Sequence, residues 1–130
     1  MADKKIIFGL SQNTAATLAY AGIWVTGLFF FLSEKKDKFV RFHALQSLIA
    51  FGILTALMII SSVGLSLQGL PFLNVILLPI FLLLRFASPL LEIIFFILWL
   101  VCIIKAYQGE EFLLPFVGQF TKDKLSQISK

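Results

Sequence analysis

Two small sets of polar residues in an otherwise apolar chain have the types and spacing to do chemistry. His43, the single histidine, is followed by Gln46 and Ser47. On a helix these positions, i, i+3 and i+4, share one face. An imidazole can move a proton, a carboxamide both donates and accepts, and a hydroxyl can serve either role. The second set is Arg85, Ser88 and Glu92, the only stretch where charge interrupts long apolar sequence. A carboxylate in such surroundings must find a partner, because an unpaired buried charge is costly. Glu92 is therefore expected to be neutralised by Arg85 or by His43. Two readings of this polar cluster stay open: a structural link that snorkels toward headgroups, or a patch that handles protons, ions or a peptide.

The soluble-enzyme constellations are missing. The sequence has no glycine-rich phosphate loop, no nucleophile elbow and no spaced set of metal ligands, and its one histidine and one cysteine lie far apart. No catalytic, cofactor-binding or metal-binding residue is expected, and the chain reads as a non-enzyme.

The elements that must position these residues follow from composition. Of 130 residues, 59% are hydrophobic and 14% are charged, with 15 phenylalanines; the mean hydropathy is +0.97. A soluble domain is roughly 25% charged and at most about half apolar, so the main solvent here is lipid. The net charge of +4 would suit nucleic acid in a soluble domain. Here the basic residues flank apolar blocks, where they set topology and meet anionic headgroups, so the partner is the bilayer and not nucleic acid. Six formal charges fall between Glu34 and Arg41, and Lys35, Lys36, Lys38 and Arg41 read as a topology loop. Ile6 to Leu10 is too short to be the apolar core of a signal peptide, so the first long span is expected to stay in the mature protein.

The pattern predicts an all-α integral membrane bundle forming a single domain. Its four spans cover about 14–32, 44–67, 72–86 and 89–107, and an interfacial or soluble tail covers 108–130. Ser11 or Asn13 caps the first span. Ala15, Ala19, Gly22 and Thr26 form a small-residue stripe for helix packing. A single helix from Leu70 to Tyr107 would be roughly 57 Å long, against a hydrocarbon core of about 30 Å. A break is therefore expected at LRFASP, Leu84 to Pro89, leaving a third helix that is short or re-entrant. Four crossings put the His43 and Arg85 sets at similar depth on one side, where they can meet. Charge counting instead leans toward three crossings. Gly109 is expected to end the last span.

Three segments, KFVRFHALQSLIAF (Lys38 to Phe51), PFLNVILLPIFLLL (Pro71 to Leu84) and KAYQGEEFLLPFVG (Lys105 to Gly118), together resemble the chloroplast twenty-kilodalton Tic import-component family and its bacterial and archaeal relatives. The resemblance implies a four-helix bundle with both termini on one side, in the cell membrane of a prokaryote, and a part in protein translocation. Two other roles stay open: a non-transporting scaffold or accessory subunit, and a proton-coupled transporter resting on Glu92. The partners expected are a second copy of the chain or other membrane proteins.

Overall fold

The structure is a computed structural model that describes residues 5–128. Lys4 and Lys130, both part of the charge count, lie outside them. A short 3-10 turn, Ile7–Gly9, leads into helices α1 (Gln12–Ala21), α2 (Ile23–Ser33), α3 (Lys38–Ser66), α4 (Pro71–Tyr107) and α5 (Val117–Ile128). A second 3-10 turn, Leu67–Gly69, joins α3 to α4. The all-helical expectation is met.

The expected first span is two helices, not one. Ser11 caps α1, its Oγ accepting from the Thr14 N–H. The helix stops at Gly22, and Ile23 takes a left-handed φ of 62°, a conformation that strains a β-branched residue. The chain then turns back. A straight helix over 12–33 would hold its ends about 30 Å apart. In the structure the Gln12 Nε2 donates to both oxygens of Asp37, at 3.0 and 2.8 Å. So α1 and α2 form a hairpin, each arm roughly 15 Å long. Ala15, Ala16 and Ala19 are fully buried, which gives half of the predicted stripe its packing role. Gly22 and Thr26 serve the turn instead.

Helix α3 starts six residues before the predicted span. The residues Glu34 to Asp37 build its cap. Glu34 Oε1 accepts from the N–H groups of Lys36 and Asp37, and Asp37 Oδ1 accepts from Val40 N–H. Asp37 is thus an N-cap satisfying one of the free amides of the first turn. Arg41 closes the other side, donating from Nη1 to the Glu34 carbonyl at 2.9 Å and lying 4.7 Å over the Phe31 ring. Its cation therefore sits at the carbonyl end of α2, where the helix dipole favours it.

The break expected at LRFASP is absent: α4 is continuous over 37 residues with Pro79 and Pro89 inside it. Each proline removes one N–H and frees one carbonyl, whereas ending and restarting a helix leaves up to four N–H and four C=O groups open. Where no water can satisfy those groups, the proline is the smaller defect. Gly109 ends α4 as predicted. Its φ of +80° lets the Gly109 N–H bond to Ala106 and the Glu110 N–H to Lys105, the paired 5→2 and 6→1 closure of a helix C-terminus.

The chain divides into two compact units, 1–52 with 98–130, and 53–97. In the first, Gly27 lets α2 approach α3 closely, since a Cβ there would lie 2.9 Å from the Ala44 carbonyl oxygen. Leu125 of α5 packs with Phe42 and Leu45 in a small core bordered by Phe31, Leu48 and Ile49. In the second unit a Cβ at Gly64 would meet Leu84 at 2.9 Å, and Phe81 and Ser61 are buried.

Candidate functional site

The polar residues of the first unit converge on the tip of the α1–α2 hairpin and on the segment after α4. A chain reversal leaves free carbonyls at the end of α1 and free amides at the start of α2. In apolar surroundings each needs a partner. Trp99 Nε1 donates to the Tyr20 carbonyl at 2.8 Å. Ser47 Oγ donates to the Ile23 carbonyl at 2.8 Å. Thr26 Oγ1 accepts from the Gly22 N–H and donates to the Ala19 carbonyl.

Beside the tip, Tyr20, His43 and Gln46 form a buried chain of hydrogen bonds, each at most 1% exposed. Gln46 Nε2 donates to the Tyr20 hydroxyl and to the Phe112 carbonyl, both at 2.9 Å. Its Oε1 accepts from the Leu114 N–H at 3.2 Å. The amide is therefore fully used, and it ties 112–114 to the start of α3 much as a neighbouring strand would. The Tyr20 hydroxyl accepts from Gln46, so its own proton is free to be donated to His43 Nδ1, 2.9 Å away. That assigns the neutral Nε2–H tautomer to His43 from the network. The rings of Phe39, Phe42 and Tyr20 stand edge-on to the imidazole at centroid distances of 4.5, 5.1 and 5.5 Å.

His43, Gln46 and Ser47 thus lie on one face of α3, as their spacing suggested, with His43 and Gln46 meeting at the Tyr20 hydroxyl and Ser47 bonding separately to the Ile23 carbonyl. Arg85, Ser88 and Glu92 belong to the other compact unit. Because α4 is unbroken, they share a helix face there. Arg85 and Glu92 are both exposed, stand about 10 Å apart along the axis, and no ion pair joins them. Ser88 Oγ is buried without a partner. Among the described residues no group of three or more His, Cys, Asp or Glu gathers as metal ligands would. Lys35, Lys36 and Lys38 are exposed at the head of α3.

Residues that the composition argument passed over carry much of this geometry: Gln12, Tyr20, Asp37 and Trp99. The signal for Tyr20 was a phenol inside an apolar helix, since a buried Tyr hydroxyl needs a partner.

Residues 7–121 match the magnetosome magnetite crystal formation protein family. The chain belongs to that family. It is also similar to a UPF0132 membrane protein of Methanocaldococcus jannaschii, 38% identical over 118 residues that cover 91% of this chain and 92% of the relative. A UPF0132 membrane protein of Archaeoglobus fulgidus is 36% identical over 119 residues, 92% of this chain and all of the relative. A second M. jannaschii protein of that description is 37% identical over 114 residues, 88% of this chain and 70% of the relative. No solved structure matches.

These findings correct the resemblance to the Tic import components: the family matched is a different one, and the relatives are described only as membrane proteins. The motif residues that carried the resemblance have structural duties, with Gln46 gripping Leu114 and Gly109 closing α4, so they report architecture rather than translocation. Family membership and the relatives' descriptions make this a small membrane protein, and two of its helices are long and apolar enough to cross a bilayer.

Proposed function

We propose that this chain is a non-catalytic, non-transporting membrane scaffold in a prokaryotic cell membrane, working beside further copies of itself or other membrane proteins. Its helices α3 and α4 are each long and apolar enough to cross a bilayer. The α1–α2 hairpin enters from the side where α3 begins and returns to it. Two crossings bring the end of α4 back to that side as well. Support comes from Asn13 Nδ2, which donates to the Tyr107 carbonyl at 3.1 Å.

One observation carries the reading. The polar face for which a role in handling protons, ions or a peptide stayed open is engaged in holding the fold, with Gln46 making three hydrogen bonds to Tyr20, Phe112 and Leu114 and Ser47 holding the hairpin tip. A translocating surface must exchange its polar partners for those of a substrate; this one has its partners within the chain. The test is reconstitution of the purified protein into a planar bilayer. A scaffold leaves conductance at the level of a protein-free membrane, and chemical crosslinking in native membranes captures it with another copy or another membrane protein. Steady unitary conductance from the purified chain would overturn the reading.

A further inference from the structure

The loop between α2 and α3 separates its charges. Its two acids face inward: Glu34 is 8% and Asp37 5% exposed. Both accept hydrogen bonds from backbone amides at the head of α3, and Asp37 also holds the Gln12 amide. They border a pocket shared with Lys5 and Ser33. Lys35 and Lys36 border that pocket too, and with Lys38 and Arg41 they line a second, open pocket of about 460 Å³ that Ile128 of α5 also borders. Among the described residues no carboxylate lines it. The loop, four bases against two acids, therefore presents a cationic hollow.

We infer that this hollow is a binding site for the phosphate headgroup of an anionic phospholipid. Four cations border one hollow while the neighbouring acids Glu34 and Asp37 are taken up by backbone amides, so the hollow attracts an anion. Arg41 is fixed by the Glu34 carbonyl and the Phe31 ring, which gives the hollow one anchored cation beside three exposed lysines. The ligand is an amphiphile rather than free phosphate because the hollow has an apolar wall. Ile128 is 55% exposed, and Phe116 and Phe120 of the same terminal segment are 97% and 48% exposed. Such a helix, apolar side chains interleaved with Lys122 and Lys124, suits the interfacial plane. Basic pockets at the headgroup level are where lipid phosphates are held. The site stands apart from the scaffold reading, since a transporter could carry it equally.

The test is native mass spectrometry of the full-length protein released from uncharged detergent after incubation with phosphatidylglycerol, phosphatidylcholine or inorganic phosphate. The site predicts that one phosphatidylglycerol is retained in preference to phosphatidylcholine. Changing Lys35, Lys36 and Lys38 to Gln should erode that preference by about fivefold per residue. The corresponding Arg variants should retain it, and a circular-dichroism melt of each variant checks that the fold is intact. Equal retention by the three-Gln variant, or equal retention of phosphatidylcholine, would overturn the site. Displacement of the lipid by millimolar inorganic phosphate would overturn the choice of an amphiphile.

Discussion

The side-chain amide of Gln12, at the first position of α1, binds both carboxylate oxygens of Asp37, the cap of α3. These residues bracket the whole first apolar block, and their contact means that the block leaves and returns at one level. Asp37→Ala removes a helix cap and strands a polar amide. The expected loss is about 1–2 kcal/mol from the cap alone, read as a lower thermal midpoint in detergent. Asp37→Asn, which can still accept from Val40, should recover most of it.

Gln46→Leu keeps the volume but leaves the Leu114 amide and the Phe112 carbonyl without their partner. Each orphaned buried group costs about 1–3 kcal/mol. The segment 110–116 should lose its tether as well, so hydrogen exchange there should rise before exchange in α3 does. Unchanged protection of that segment would show that Gln46 is not what holds it.

At the hairpin tip, Ser47→Ala exposes the Ile23 carbonyl to apolar surroundings, with an expected loss of about 1–3 kcal/mol. Gly27→Ala tests the same packing from the other side, because the added methyl meets the Ala44 carbonyl oxygen at 2.9 Å. Overpacking of this kind costs about 1–3 kcal/mol. Both are measured by denaturation of the detergent-solubilised protein.

Glu92 makes the opposite prediction. It is exposed on a helix read as crossing the bilayer, and no ion pair joins it to Arg85, so Glu92→Gln removes an uncompensated charge and should raise stability or cost less than about 0.5 kcal/mol. A loss several times larger would reveal a partner for the carboxylate.

Much of this was legible in the sequence, and the rest was hidden for identifiable reasons. Apolar length placed α3 and the two ends of α4, Ser11 and Gly109 marked helix ends, and the spacing of His43, Gln46 and Ser47 gave their common face. The hairpin was not legible, because apolar residues continue without interruption from Ala15 to Leu32 apart from Thr17, Gly22, Thr26 and Gly27, and a reversal in apolar surroundings needs no polar loop when Ser47 and Trp99 can satisfy its backbone. Length suggested one span where there are two arms. The opposite error befell Pro89, where a breaker by propensity sits inside a continuous helix. The inward turn of Glu34 and Asp37 was likewise invisible, since charge counting does not say which charges the backbone will engage.

The central claim is that the first apolar block is a hairpin inserted from one side, so that Lys5, the 34–37 loop and α5 share that side. It is tested most directly by single cysteines at Lys5, Lys36 and Gln119 in a Cys102→Ala background, probed in sealed vesicles with a membrane-impermeant maleimide. Labelling of all three from the same side is the predicted result. Labelling of Lys36→Cys from one side, with Lys5→Cys and Gln119→Cys labelled only from the other, would mean that the block crosses the membrane and would contradict the account.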